Sequence, residues 1–383
     1  MDGGIADGIA ALAPEVRARR QEIEAARRLP ADLAEALRAT GIFALTVPRA
    51  LGGGEAGPAE LMDAIEALAA ADGSTGWCAM VGLGNNVAAG YMAEAGAREV
   101  FADPTLPVAG IAAPAGAALP VEGGVRVSGR WGFASGIDNC AWAWAGCLVM
   151  EDGVPRMTAG GPEIVHVCMP VADLEVHDTW RVSGLCGTGS KDFSTADAFV
   201  PERRVFRLLD PGGHRPEPLY RMPPLGLFVY QLASVGLGIA RAALDEVEAL
   251  AESRAPSLYQ EPMAARAAAQ VDLARAEARL GAARAFLRAT VDDVWQAVRG
   301  GREPTSREIA LARAACTQAV ETALAATRTA NTLGGGGALY SESGLQRHMR
   351  DAEAITHHFT VAPFTWEQAG RVLLGRDPGV PAF

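Results

Sequence analysis

The first 105 residues carry apolar positions at helical spacing. Runs rich in alanine, leucine and glutamate fill this part of the chain. Glycine, proline and aspartate interrupt the runs at Gly41, at Pro48, at Asp72-Gly73 and at Asp103-Pro104. The pattern predicts an N-terminal domain of several short helices over residues 1–106.

Valine-rich stretches replace the helical spacing from about residue 107. Two of them flank the dipeptide Gly123-Gly124, which predicts two strands joined by a tight turn. A further stretch, Cys147–Pro155, predicts a strand that runs into a second turn. These features predict a small antiparallel β domain over residues 107–205.

Helical spacing returns after Pro211–Gly213, which is predicted to be a linker. Thr305 and Glu308 have the spacing of a capping box, which fixes the start of a helix just after Pro304. The long helices predicted here cover residues 241–255, 261–299 and 309–333. Residues 206–383 are therefore predicted to form a four-helix bundle, and the fold class is α+β: helical domain, β domain, helical bundle.

The segment Met222–Ala240 is uncharged and long enough to be considered as a membrane span. It opens with two prolines and contains Gln231 and Ser234. These features favour a helix buried on all sides in the bundle over a span.

Composition limits the function classes. A chain of 383 residues with 49% hydrophobic and 21% charged residues is that of a well-buried globular protein of two or three packed units. Its net charge of −11 repels phosphate backbones and anionic membrane surfaces, which disfavours nucleic-acid binding. The acidic start Met1–Gly8 shows no export signal, and six scattered cysteines lack paired metal-ligand spacing. We therefore expect a reduced, cytoplasmic protein without a metal site.

One group of candidate residues surrounds Ser135. Trp131 and Phe133 precede this hydroxyl and Gly136 follows it. An aromatic wall, one hydrogen-bond donor and a close backbone approach are what a planar tricyclic ring needs on one side. The alternative is a strand-end serine in a turn beside core aromatics.

A second candidate is the glycine-rich turn Gly184–Asp192, which offers Thr188, Gly189 and Ser190. Backbone N–H groups and hydroxyls of such a turn can bind a ring or a phosphate. Its spacing fits neither a Walker loop nor a dinucleotide fingerprint, and an ordinary β-turn is the alternative.

His358 is the strongest candidate for acid–base chemistry, because imidazole titrates near neutrality. It lies two helical turns beyond Arg350 and Asp351, so the three residues can share one face of a helix. A satisfied surface histidine is the alternative, and the adjacent His357 leaves open which ring points inward. His166 and Cys168 alternate on a predicted strand and are interpreted as core residues.

In their order and separation, three motifs resemble those of the acyl-CoA dehydrogenase superfamily. More narrowly, they resemble its oxygen-using branch, the flavin-dependent monooxygenases of two-component systems. The motifs are residues 41–53, residues 127–136, and Arg350-Asp351 with His358 and the following Gly370-Arg371.

The resemblance implies a reaction and its partners. A separate NAD(P)H:flavin reductase would supply reduced flavin, FMNH2 or FADH2, and O2 would convert it into a C4a-hydroperoxyflavin. That species would hydroxylate or N-oxidise a small organic substrate, an aromatic compound or an amine. The resemblance also implies a homotetramer whose subunits share the flavin sites.

The same resemblance assigns roles to residues. Ser135 would meet the flavin N5 region and His358 would act as acid or base. Cys186 departs from the arginine that related sequences often carry, which leaves a charged contact there in doubt. The further residues implied to bind flavin are Trp131, Phe133, Gly136, Thr188, Gly189 and Ser190, and for a cofactor tail from a neighbouring subunit Asn331, Gly334 and Gly335.

Two other functions stay open at this point. Glu342 stands eight residues before Arg350, the spacing of the catalytic base in one group of acyl-CoA dehydrogenases with tightly bound FAD. A non-catalytic member of the fold, serving as a binding scaffold, is the third possibility, since one fold hosts several functions.

Overall fold

The computed structural model describes residues 3–208, 215–252 and 261–380, and the predicted linker 211–213 lies outside them. The helices in these ranges are α1 (Gly3–Ala18), α2 (Arg20–Ala26), α3 (Ala31–Ala39), α4 (Pro58–Ala71), α5 (Gly73–Asn86), α6 (Glu94–Val100), α7 (Pro224–Leu250), α8 (Ala267–Arg299), α9 (Ser306–Leu333), α10 (Gly344–Thr356) and α11 (Phe364–Leu373). The strands are β1 (Val108–Val121), β2 (Gly124–Ala134), β3 (Trp142–Glu151), β4 (Val154–Pro155), β5 (Met157–Thr158), β6 (Gly161–Pro162), β7 (Ile164–Pro170), β8 (Glu175–His177), β9 (Lys191–Pro201) and β10 (Val205–Phe206).

The predicted N-terminal helices are confirmed, and they break at the predicted residues. Gly41 follows α3 with a φ of 80°, a left-handed conformation that glycine adopts without strain. Asp72 separates α4 from α5 and caps the latter, since its side chain accepts a hydrogen bond from the Thr75 N–H.

The predicted strands form one mixed sheet in the order β10-β7-β3-β1-β2-β9-β8, with β4 paired to β3. The turn at Gly123 joins β1 and β2 as predicted, with a φ of 77° at this glycine. The predicted antiparallel β domain is confirmed as a mostly antiparallel sheet, with one parallel pair, β1 and β3. β2 runs antiparallel to β1 on one side, and the chain reverses again before β3, so β3 pairs with the other side of β1 in the same direction as β1.

The C-terminal bundle consists of α7, α8, α9 and the shorter α10. The capping box is confirmed: the Thr305 side chain accepts from the Glu308 N–H, and Glu308 accepts from the Thr305 N–H. The segments predicted separately as 222–240 and 241–255 belong to one helix, α7, as far as the described residues extend. By length and composition α7 could cross a membrane, but 89% of its apolar window is buried inside the molecule.

The N-terminal and C-terminal helices share one hydrophobic core, whereas the sheet has a core of its own. α4 and α7 approach so closely that a Cβ at Gly238 would lie 2.4 Å from the carbonyl oxygen of Glu66. Helices end at Val100 and strands begin at Val108, close to the predicted boundary at 106. The division into three domains stays a prediction, because the N-terminal and C-terminal helices contribute side chains to the same core.

Candidate active site

A row of buried hydroxyl groups links the end of β2 to the glycine-rich turn. The hydroxyl oxygens of Ser135 and Ser190 lie 2.7 Å apart, and those of Ser190 and Thr188 also lie 2.7 Å apart. Thr188 donates from its hydroxyl to the carbonyl oxygen of Leu185 at 2.8 Å. We call Ser135, Ser190 and Thr188 the hydroxyl chain; all three are buried, and the structure thus brings together two predicted sites.

Trp77, on α5, joins the hydroxyl chain to His358. Its indole Nε1–H donates to the Ser135 hydroxyl at 3.0 Å. The edge of its ring meets the His358 ring, with 6.0 Å between the centroids. Sequence reasoning missed Trp77, although it lies five residues beyond the predicted break at Asp72.

His358 points into an aromatic environment, whereas His357 is exposed. The His358 ring stacks on Phe359 with centroids 5.0 Å apart and faces Phe228 of α7 at 5.6 Å. The predicted common helix face with Arg350 and Asp351 is wrong, because α10 ends at Thr356. His358 instead caps the next short 3-10 turn.

The hydrogen bonds of His358 fix its tautomer. The backbone N–H of Thr360 donates to Nδ1 at 3.3 Å, and the Thr360 hydroxyl lies 2.7 Å from the same atom. Because an N–H can only donate, Nδ1 is unprotonated and the neutral ring carries its proton on Nε2. Burial, and then the positive charge of Arg313, lower the pKa of His358 to about 4, so the ring is neutral at pH 7.

Arg350 and Asp351 hold the glycine-rich turn instead of accompanying His358. Arg350 donates to the carbonyl oxygen of Ser183 and pairs with Glu24 at 2.6 Å. Asp351 accepts from the N–H of Leu185 at 2.6 Å. Burial, and then the nearby charge of Asp72, raise the pKa of Asp351 to about 7. The Arg-Asp pair therefore positions the backbone from which the hydroxyl chain extends.

Trp131 does not form the predicted aromatic wall. Its ring is 0% exposed, stacks on Phe193 inside the sheet core and donates to the carbonyl oxygen of Gly146. Phe133, in contrast, is 73% exposed, and its ring meets the partly buried Trp180 edge-on. The exposed aromatic surface beside Ser135 comes from these two rings.

The remaining predicted residues lie at neighbouring turns. Gly136 and Gly189 both have positive φ, and the Gly136 N–H donates to the Thr188 carbonyl oxygen at 2.8 Å. Asn331, Gly334 and Gly335 lie at the C-terminal end of α9, where Gly334 packs against Leu345. Their role toward a neighbouring subunit stays a prediction.

Glu342 lies exposed on the turn before α10. The described contacts of Ser135 and His358 do not include it. His166 and Cys168 are buried among core aromatics as interpreted from the sequence, with His166 stacked on Phe206.

The residues present fit a flavin. The exposed ring of Phe133 and the partly buried ring of Trp180 offer an apolar face, and the hydroxyl chain offers polar atoms to a ring edge. A separate cavity of about 160 Å³ adjoins Ser135 and Gly136 and is lined also by Phe43 and Cys78. This cavity has the volume of one that holds benzene, about 150 Å³, and is too small for a three-ring flavin.

Comparison with known proteins decides the family. Residues 7–102 match the acyl-CoA dehydrogenase N-terminal domain and residues 230–363 match the acyl-CoA dehydrogenase C-terminal domain. The chain is 34% identical over 372 residues to an indole-3-acetate monooxygenase of Pseudomonas putida, covering 94% of this chain and 91% of the relative. The chain belongs to the acyl-CoA dehydrogenase family.

Within the acyl-CoA dehydrogenase family the chain falls among the flavin-dependent monooxygenases, as predicted. It is 33% identical to the oxygenase component of an FADH2-dependent resorcinol hydroxylase of Rhizobium sp., covering 97% of this chain and 94% of the relative. XiaF from Streptomyces sp., solved with FADH2 and glycerol, superposes with a TM-score of 0.91 at 26% identity, covering 99% of this chain and 97% of XiaF. The predicted α+β architecture of this family is confirmed.

Proposed function

We propose that this chain is the oxygenase component of a two-component system and hydroxylates a small aromatic compound. The observation that carries the proposal is the meeting of Ser135, Trp77 and His358, which come from the turn after β2, from α5 and from the segment after α10. These three parts of the chain place a polar edge, an aromatic wall and a neutral imidazole at one site. Relatives more than 30% identical have aromatic compounds in their names, which supports an aromatic substrate over an amine.

Reduced flavin, when bound, supplies the two electrons with which O2 is split between product and water. Phe133 and Trp180 would lie against the ring system, and the hydroxyl chain would meet its polar edge. Asp351 would keep these hydroxyls in place through Leu185, because it accepts from the Leu185 N–H while the Leu185 carbonyl oxygen accepts from Thr188.

His358 would handle the substrate proton. Its Nε2–H can donate a hydrogen bond to a substrate oxygen, since Nδ1 is already engaged by Thr360. The neutral ring can also accept a proton at its unprotonated nitrogen, Nδ1, when Nδ1 releases its contact with Thr360. The rings of Trp77, Phe228 and Phe359 contact it and reduce its exposure to water, which strengthens such a hydrogen bond.

A coupled assay tests this function. We expect the purified protein, mixed with flavin, NADH and a generic flavin reductase, to transfer one atom of isotopically labelled O2 to a compound in a panel that includes indole-3-acetate and resorcinol. Catalase removes peroxide made by the reductase alone, and the same mixture without this protein is the control. If no compound of the panel received labelled oxygen and the protein did not bind reduced flavin, the proposal would be contradicted.

The proposed assembly is a homotetramer in the cytoplasm, away from membranes and supplied with flavin by a separate reductase. Exposed apolar side chains, including Leu339 and Tyr340, follow the predicted cofactor-tail segment. All six cysteines are free, which suits a reducing compartment. Light scattering should give about four times the chain mass of 39.8 kDa, because the tail segment needs a neighbouring subunit. A stable monomer would contradict this assembly.

The dehydrogenase alternative rests on the spacing of Glu342 from Arg350 alone. Its candidate base, Glu342, is exposed on a turn, outside the aromatic environment of His358.

A further inference from the structure

The hydroxyl chain has only one arrangement of protons. Thr188 donates to the carbonyl oxygen of Leu185, which can only accept, so its single proton is committed there. In the bond between Ser190 and Thr188, Ser190 must therefore be the donor. With its own proton spent, Ser190 must accept from Ser135.

The other end of the chain is fixed in the same sense. The indole N–H of Trp77 has no acceptor capacity, so it donates to Ser135 and cannot receive a proton from it. Ser135 thus donates to Ser190 and accepts from Trp77. Its oxygen keeps one lone pair, and toward any further ligand Ser135 can only accept.

The carbonyl that sets this direction is itself held in place. Leu185 accepts at its oxygen from Thr188 and from the Trp180 indole at 3.1 Å, and its N–H donates to Asp351. The three hydroxyls are buried, so water does not readily supply a substitute partner.

The two redox states of a flavin differ at N5. In the oxidised ring N5 is a hydrogen-bond acceptor, and in the reduced ring it carries a hydrogen and donates. We propose that the hydroxyl chain selects reduced over oxidised flavin, because the lone pair of Ser135 matches the N–H of reduced N5 and opposes the lone pair of oxidised N5. This inference rests on the proposed function, in which the hydroxyl chain meets the polar edge of the flavin, and it takes N5 as the atom that Ser135 meets, as the family resemblance implies.

The selection has a definite size and a definite source. For Ser135 to donate to oxidised N5, it must give up its bond to Ser190, so the discrimination is about one hydrogen bond, roughly fivefold in affinity. Ser190 and Thr188 are then specificity-determining residues, although Ser135 alone would touch the flavin.

Two substitutions test the proposal. In Ser190→Ala the Ser135 proton loses its acceptor and becomes available to oxidised N5. In Thr188→Val the Ser190 proton loses its acceptor and can turn toward Ser135, which frees the Ser135 proton in the same way. Thr188→Ser keeps the hydroxyl and is the matched control.

The measurement is the ratio of the dissociation constants for oxidised and reduced flavin, the latter under anaerobic conditions. We expect the ratio to fall roughly fivefold in Ser190→Ala and Thr188→Val and to hold in Thr188→Ser. The midpoint potential of bound flavin should fall by about 20 mV in the same two variants, which is that fivefold change for a two-electron couple. Circular dichroism shows whether each variant is folded.

The outcomes separate the two proposals. An unchanged ratio and potential in both variants, with reduced flavin still bound, would overturn the selection by the hydroxyl chain and leave the proposed function standing. Failure of the unsubstituted protein to bind either flavin would overturn the proposed function itself.

Discussion

Replacing His358 by alanine should lower product formation by roughly 100-fold or more, the scale of a general acid–base residue. The substitution removes the only imidazole that contacts Trp77 and Phe228 among the described residues. Glu342→Gln should change the rate little, since that side chain is exposed on a turn. The coupled assay with reduced flavin and O2 measures both variants.

His357→Ala is the matched control, because His357 is the exposed neighbour of the same type. Since the pKa of His358 lies near 4, the ring is neutral throughout the range from pH 6 to 8, and the residue should add no ionisation to the rate profile there. Full activity in both His357→Ala and His358→Ala would rule out the proposed acid–base role. Bleaching of bound flavin by an acyl-CoA, lost in Glu342→Gln and kept in His358→Ala, would favour the dehydrogenase.

Gly184→Ala should damage both the fold and flavin binding. A Cβ at this position would lie 2.1 Å from the carbonyl oxygen of Arg350 and 3.1 Å from the backbone nitrogen of Asp351. These are backbone atoms of α10 and cannot turn away as a side chain would, so the turn must shift. Overpacking of this kind costs about 1–3 kcal/mol or more of the free energy of unfolding.

A shifted turn would also break the Leu185 contact with Asp351 and disturb the hydroxyl chain. We expect a lower melting temperature and a weaker affinity for reduced flavin, measured by calorimetry and by anaerobic titration. Gly281→Ala is the control: nothing lies within 4 Å of a Cβ at this exposed position of α8, and alanine should stabilise the helix by up to about 1 kcal/mol. Wild-type melting and affinity in Gly184→Ala would show that the turn is not constrained as described.

The sequence was sufficient for features that depend on local chemistry. The capping box at Thr305 satisfies helix N–H groups within four residues, and the turn at Gly123 needs only a positive φ. Both could be predicted without knowledge of the rest of the chain. The family motifs likewise indicated Ser135, Ser190 and His358, although not how these residues meet.

The errors arose where the backbone departs from regular periodicity. Strand alternation puts Trp131 and Phe133 on the same face, but the register of β2 against β9 shifts between Trp131 and Ala134. Phe133 has a φ of 69°, and the irregularity turns its ring outward while Trp131 stays in the core. A pattern of residue types does not contain such a bulge.

His358 and Trp77 illustrate a second reason. The helix before His358 ends at Thr356, but no glycine or proline marks this end in the sequence. The prediction therefore extended the helix too far, to His358. Trp77 meets Ser135 across 58 positions of sequence, and that contact depends on how α5 packs against the sheet. Tertiary packing decided both placements.

The core shared by α4 and α7 has a consequence for synthesis on the ribosome. The apolar side of α4 is covered only when α7, which ends at residue 250, has emerged. The sheet, in contrast, already has all of its strands at residue 206. At 5–20 residues per second, the roughly 150 residues between α6 and the end of α7 take about 8–30 s to appear. During that interval the nascent N-terminal helices expose apolar side chains that the finished fold buries.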